Sequence, residues 1–319
     1  MQVLQTVDRD RLVGLHERDE FFWLDLTAPS AEDLSSLGEV LGLHPVALED
    51  TNEFGQRPKL DVYGHHVLFV FYTVRRGRGR DTGEAPAEPV EIHIYVSGSF
   101  VVTVRRSTCS ELDALQHELD SADPKAEHYI VYRIFDVLTD AYYPMIDLLE
   151  ERIDGLEAQV LLAKPRHEQL AEIYRLKQNV QELSRRVVPQ RDRFPAGAEA
   201  ILTLPGLARG TEEYLRDVGD HLAQIAGELH RQQEDLQALT ATYFNANANR
   251  LNATATRLTI GGTFFLAWTL VTGFFGQNFG WLVDNIDTRH DFLLYGVSGL
   301  VVPTVIIGAV FWVKRKDWF

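Results

Sequence analysis

Two stretches near the C-terminus carry no charge: 26 residues from Leu258 to Val283 and 22 from Phe292 to Val313. A helix rises about 1.5 Å per residue, so about 20 residues cross a hydrocarbon core of roughly 30 Å. The pattern predicts two membrane spans, 258–279 and 292–313. A short polar outer loop at 280–291 joins them, and a basic tail at 314–319 closes the chain. Upstream, apolar positions from Leu215 to Leu239 recur at three- and four-residue steps and continue into the first span, with no proline between Pro205 and Pro303. With Thr211-Glu212-Glu213 as its start signal, this predicts one helix of about 65 residues, from Thr211 to about Gly276 and roughly 100 Å long. Its part before the membrane, 211–257, is a stalk.

Residues 1–124 predict a mixed α/β domain. Phe21 to Leu26 reads as a strand, and Ser30 as the N-cap of a helix to about Leu41. His66–Val74, Glu91–Val96 and Phe100–Val104 read as further strands, the last two joined at Ser97-Gly98-Ser99. Between them Arg75 to Pro89 reads as an exposed loop. Its Arg-Arg-Gly-Arg-Gly-Arg run has no interleaved aromatics, so it reads as a solvated turn and not as a nucleic-acid patch. From Ala126 apolar residues recur at helical spacing, from Ile130 to Val160, ending near Lys164-Pro165. A second helix is expected from Arg166 to Val188, stopping before Pro189 and Pro195. Together, 125–210 predict a helical hairpin.

Charge sharpens the division. The chain totals −15, while residues 250–319 carry +2, which leaves −17 on residues 1–249. Such a field disfavours nucleic acid and anionic lipid and concentrates cations; it equally keeps a large domain in solution. Arg250 and Arg257 before the first span and Lys314 to Lys316 after the second place both termini in the cytoplasm. The acidic positions Asp284, Asp287 and Asp291 then lie at the outer mouth. Met1 to Glu20 is polar and predicts no cleavable signal. Cys109 is the only cysteine, which excludes an intrachain disulfide and cysteine-based metal sites. His65 and His66 would point to opposite faces of a strand and make a poor ligand pair. No nucleophile–base pairing, phosphate loop or metallohydrolase motif suggests an enzyme.

The first span has one further pattern. Asn252, Thr259, Leu266 and Gly273 interleave with Ala255, Gly262, Thr269 and Gly276 to form one stripe, small or polar at every place but Leu266. Small residues let helices approach closely in lipid. Polar backbone and hydroxyls also suit a water-lined pore, with Leu266 as its hydrophobic constriction. Two helices cannot surround a pore, so the second account requires a cyclic homo-oligomer.

At this point the chain resembles the CorA family of magnesium and cobalt channels, together with its ZntB relatives. The likeness runs through Trp23-Leu24-Asp25, Leu43-His44-Pro45-Val46-Ala47-Leu48-Glu49-Asp50, Gln56-Arg57-Pro58-Lys59-Leu60, Tyr214 to His221, the membrane hairpin and the basic tail. The family's Gly-Met-Asn triplet reads Gly276-Gln277-Asn278 here, and its usual Met-Pro-Glu-Leu gives way to Trp281-Leu282-Val283-Asp284. The resemblance implies an α+β cytoplasmic domain, a stalk helix and two transmembrane helices in a funnel-shaped homopentamer of the inner membrane. It implies a selectivity filter at Gly276, Gln277 and Asn278, with Asn278 of each subunit ringing the outer mouth. Mg²⁺ is then the transported and regulatory ion, with Co²⁺ or Ni²⁺ as further cargo. The altered triplet leaves open a ZntB-like Zn²⁺ transporter, proton-coupled or not, and a non-conducting cation sensor. The resemblance further implies regulatory metal sites at Asp50 of one subunit and Asp217 of its neighbour, with Glu49 and Asp136 contributing.

Overall fold

The computed structural model describes residues 2–76, 87–120, 127–162, 166–207, 210–277, 280–286 and 288–318. The chain divides into two compact units, Met1–Gln159 with Arg166–Thr240 and Val160–Pro165 with Ala241–Phe319. In the first, β1 (Gln2–Leu4), β2 (Phe22–Thr27), β3 (Lys59–Val62), β4 (His66–Arg76), β5 (Ala87–Ser97) and β6 (Phe100–Arg105) form one sheet in the order β1-β2-β6-β5-β4-β3. β2 pairs in parallel with β1 and β6, while β3 to β6 form an antiparallel meander.

Central strands such as Phe22-Trp23-Leu24 are apolar without alternation because both faces of the sheet are covered. The two-residue period sorts their side chains between two cores. Phe22, Leu24, Phe100 and Val102 pack with α1 (Arg9–Glu17), α2 (Ala31–Leu41) and α3 (Pro45–Glu53). Trp23, Val101, Phe69 and Ile94 pack with α4 (Ser110–Asp120), α5 (Glu127–Asp140), α7 (His167–Leu202) and the start of α8 (Thr211–Phe275). The result is a three-layer α/β/α sandwich. One buried ion pair crosses it: Arg105 Nη2 donates to Asp25 at 2.7 Å, and Thr103 donates to the other oxygen of Asp25 at 2.6 Å while accepting from Trp23 Nε1.

Local signals act as expected where chemistry is local. Ser30 caps α2 in a reciprocal capping box with Asp33. The β5–β6 hairpin turns at Ser97-Gly98-Ser99, and a Cβ on Gly98 would overlap the backbone carbonyl of Pro205. Three expectations change. Arg75 and Arg76 belong to β4 and Ala87 to Pro89 to β5, with Arg75 paired to Glu88 at 2.8 Å, so both ends of the expected loop are strand, and its remainder, 77–86, lies outside the described residues. The helix expected across 126–164 breaks into α5 and α6 (Tyr143–Leu162). Pro144 has no N–H to continue the α5 hydrogen-bond ladder and falls in the first turn of α6, and buried Tyr142 at the break donates its hydroxyl to Tyr72 O at 3.0 Å. The helix expected to stop at Val188 instead runs through Pro189 and Pro195 to Leu202. Between and beyond the prolines, Gln190 accepts from the Tyr72 N–H, and Phe194 and Ile201 are buried in the core. Packing therefore overrides the local cost of two prolines.

In the second unit, the C-terminal part of α8 is followed by α9 (Gly280–Asn285), α10 (Arg289–Asp291), a π-helical stretch (Phe292–Val297) and α11 (Ser298–Trp318). Two helices, Thr211–Phe275 and Arg289–Lys314, are long and apolar enough to cross a membrane. Leu258, Leu270 and Val313 are 77%, 75% and 73% exposed, as lipid-facing side chains would be. The expected outer loop is thus partly helical, and Asp291 has a local task there: its carboxylate and N–H complete a capping box with Thr288.

Candidate ion path and metal sites

The helical period decides which face of α8 meets α11. Trp268 Nε1 donates to Thr304 Oγ1 at 2.8 Å, the Phe264 and Phe311 rings lie 6.3 Å apart, and a Cβ on Gly299 would sit 3.2 Å from Val271 and 3.3 Å from Phe275. Phe264, Trp268, Val271 and Phe275 therefore form the α11-facing side. At 3.6 residues per turn its centre lies about 170° from that of the stripe of Thr259, Gly262, Leu266, Thr269 and Gly273. A Cβ built on Gly262 or Gly273 meets nothing within 4 Å among the described residues, and Leu266 is 73% exposed. The small residues are not spent on the contact between α8 and α11. Asn252 and Ala255 continue the same exposed face toward the N-terminus.

Hydroxyl orientation adds chemistry to that face. Thr259 donates to Ala255 O at 2.9 Å and Thr269 to Phe265 O at 2.7 Å. With their protons committed to the helix backbone, both oxygens present lone pairs outward, as a hydrated cation requires. At the helix end Gly276 N–H bonds Thr272 O at 2.9 Å and Gln277 N–H bonds Phe274 O at 3.3 Å, tightening the last turn. Gly276 and Gln277 are exposed, as is Asp284; Asn278 and Asp287 lie outside the described residues.

The carboxylates are arranged more specifically than their spacing suggested. Asp136 on α5 and Asp217 and His221 on α8 bring one ligand atom each within 4.8 Å of one another. Asp136 is buried and accepts from Arg133 Nη1 at 2.6 Å. His221 Nε2 lies 3.8 Å from Asp217, and its Nδ1 lies 3.5 Å from Asp140. Burial, then the charge of Asp136, pushes the Asp140 carboxyl above its usual range, as expected for crowded carboxylates. Two carboxylates and one imidazole suit a borderline divalent ion such as Co²⁺, Ni²⁺ or Zn²⁺, whereas Mg²⁺ prefers oxygen alone. His221 was missed from the sequence, although Asp217 and His221 stand four apart on one helix face.

Asp50 stands apart from this cluster. It lies on α3 and accepts from Lys59 Nζ at 2.5 Å, and the same ammonium reaches Asp61 at 2.9 Å. Burial works against the Lys59 charge, but the two carboxylates outweigh it and raise its pKa. Glu49 beside it is exposed. His65 and His66 do come together, contrary to expectation: His65 precedes β4, and its Nε2 lies 3.3 Å from His66 Nδ1. Burial, then the charges of His65 and His44, pushes His66 down to about 4.

One buried chain of contacts has the connectivity of a catalytic triad. Thr51 Oγ1 lies 2.8 Å from His93 Nδ1, whose Nε2 lies 2.9 Å from Glu91. Thr51 and His93 are fully buried, and the Thr51 hydroxyl also reaches Ala47 O at 2.9 Å, so no substrate reaches it. The chain instead fixes the end of α3. Glu91 accepts the Gly55 N–H at 2.7 Å and the Gln56 N–H at 3.0 Å, with the Tyr72 hydroxyl 2.9 Å away. Burial opposes the Glu91 charge, but hydrogen bonds from His93, Gln56 and Tyr72 hold its pKa below the ordinary value of 4.5. Glu91→Ala is expected to cost about 2–3 kcal/mol by orphaning these donors. Because the folded pKa is depressed, this contribution is full at neutral pH and is lost as pH falls through the folded value. Thermal melts should therefore separate the variant from wild type at pH 7, and the gap should shrink as the solution is acidified through and below the ordinary carboxylate range. A gap of equal size at neutral and acid pH would contradict a charged clamp.

The CorA-like Mg²⁺ transporter protein family matches residues 18–315. The chain belongs to that family. Among its CorA-family relatives, the cobalt/magnesium transport protein CorA of Thermotoga maritima is 24% identical over 98% of this chain and 88% of its own length. The zinc transport protein ZntB of Yersinia pseudotuberculosis is 23% identical over 93% of this chain and 87% of its own. The complete structure of the CorA magnesium transporter from Methanocaldococcus jannaschii matches with a TM-score of 0.77 at 19% identity, covering 93% of this chain and 91% of that one, and so shows the shared fold. The protein is a divalent cation transporter of the CorA family, with an α+β domain, a long helix and two C-terminal apolar helices.

Proposed function

We propose that this chain forms a homopentameric channel of the inner membrane that carries Mg²⁺, with Co²⁺ and Ni²⁺ as further cargo. Both termini are cytoplasmic. α8 of each subunit lines the path through Asn252, Ala255, Thr259, Gly262, Leu266, Thr269 and Gly273. Asn278 closes the outer end, with Gly276 letting the backbone approach the axis and Asp284, Asp287 and Asp291 gathering cations outside. The observation that carries this reading is the opposition of faces on α8: the small, lone-pair-bearing stripe points away from α11, which leaves it for an axis shared between subunits. A neutral amide ring suits an ion that gives up water reluctantly, because it accepts from the hydration shell without holding the ion for long.

Regulation follows from the acidic sites. Asp50 of one subunit and Asp217 of the next, with Glu49 and Asp136 nearby, would hold Mg²⁺ when it is abundant inside and favour a closed assembly. A second reading, Zn²⁺ movement coupled or not to protons, draws on His221 within the acidic cluster and on Gln277 in the triplet. Ion uptake into proteoliposomes, measured with Mg²⁺ and Zn²⁺ separately and with or without a pH gradient, tests both. Mg²⁺ entry indifferent to the gradient is the expected result. Zn²⁺ entry alone transfers the conclusion to the second reading, and flux of neither ion leaves a non-conducting cation sensor.

A further inference from the structure

Asp50 already holds a cation. Its carboxylate is 18% exposed and receives Lys59 Nζ at 2.5 Å, and Asp61 takes the same ammonium at 2.9 Å. The geometry is built from both sides. Lys59 opens β3, where it sits opposite Val70 of β4, and the preceding turn is pinned by Glu91 through the N–H groups of Gly55 and Gln56. Asp50 lies in the last turn of α3, whose underside is anchored by Thr51 to the Tyr95 hydroxyl at 2.6 Å and to His93. The ammonium therefore does not wander over the surface. It is held on the oxygen that a metal would use.

We infer that Lys59 is a tethered counter-ion that competes with divalent metal for Asp50 and thereby sets the concentration at which the cytoplasmic domain responds. The inference rests on the reading of Asp50 as a metal ligand. An ammonium and a divalent ion cannot share the inner lone pairs of one carboxylate without mutual repulsion, so metal engages Asp50 as Lys59 withdraws. Asp61 makes withdrawal feasible: Lys59 keeps one carboxylate when it gives up the other. A half-buried carboxylate left bare in the metal-free state carries a desolvation cost, which the tethered charge offsets. Responsiveness is thus moved to higher metal concentration in exchange for a settled empty state.

Limited proteolysis of the full-length chain in detergent, titrated with Mg²⁺, reads the effect as the concentration giving half protection. Lys59→Met is expected to lower that midpoint about three- to tenfold. Asp61→Asn is expected to raise it at least about twofold, because Lys59 is then left to Asp50 alone. Lys59→Arg should stay near wild type, and Arg57→Gln, which removes the same charge from an exposed position two residues away, should move the midpoint by less than about twofold. Melting curves in chelator confirm that each variant folds, and the opposite shift of Asp61→Asn keeps the test alive if Lys59→Met does not. If Asp50→Ala abolishes the Mg²⁺ response while Lys59→Met leaves the midpoint in place, the counter-ion role is wrong and the ligand role stands. A full response in Asp50→Ala overturns both. Equal shifts in Arg57→Gln and Lys59→Met would reduce the effect to bulk charge and overturn the inference.

Discussion

Asn278→Ala should lower Mg²⁺ flux by about tenfold or more, since even ~1.4 kcal/mol of lost stabilisation along the path is a tenfold change. α8 stops just short of this residue. Its last helical residue is Phe275, and the N–H groups of Gly276 and Gln277 turn back onto Thr272 and Phe274. Asn278 follows directly in the sequence, and in the proposed ring of subunits each copy would supply one amide oxygen at the outer end of the path. Alanine removes all of them at once and offers the ion's waters nothing to replace them. Gln277→Met, which restores the residue more usual in the family, should leave flux near wild type if Gln277 packs outward. Growth of an Mg²⁺-import-deficient strain is the simple readout, with expression checked by immunoblot. Full rescue by Asn278→Ala would remove the amide ring from the mechanism.

Millimolar Mg²⁺ is expected to protect wild type against protease, and Asp50→Ala combined with Asp217→Lys should erase that protection. Alanine removes one ligand, and lysine installs a permanent cation beside Asp136 and His221, so the cluster no longer distinguishes metal-rich from metal-poor solution. A tenfold preference of the ion for one conformation is worth about 1.4 kcal/mol per site, and five such sites sum to about 7 kcal/mol if additive. That suffices to move an assembly from mostly open to mostly closed. Asp217 and Leu266 belong to the same helix, α8, so in the proposed channel one element would both bind the regulatory ion and carry the constriction. Protection by Mg²⁺ that is equal in wild type and the double variant would rule out these carboxylates as the sensor.

What could be read from the sequence was governed by how local the cause is. Charge-free runs, the Ser30 cap, the Ser97-Gly98-Ser99 turn and the uninterrupted period from Thr211 to Phe275 all act through near neighbours, and the structure keeps each. The stripe was visible as spacing, but its meaning was not: Trp268 with Thr304 and Gly299 with Phe275 had to be brought together before the face toward α11 could be subtracted. Pro189 and Pro195 misled because their penalty is local while the compensation, from Phe194, Ile201 and the contact between Gln190 and Tyr72, comes from distant strands. His221 escaped because its value as a ligand depends on Asp136, which only the packing of α5 against α8 brings near. Lys59 escaped for the same reason, being an ordinary surface lysine until β3 sets it against α3.

The turn glycine at position 98 has a consequence for genetics. Its missing side chain leaves room for the carbonyl of Pro205, and main chain, unlike a side chain, cannot rotate aside. Any missense change there wedges the β5–β6 turn off the segment that leads into α8. A random screen for lost metal uptake should therefore recover Gly98 alleles beside those in the first span. Such alleles would report on abundance and assembly, and mapping them as determinants of ion choice would misassign a folding lesion to the pore.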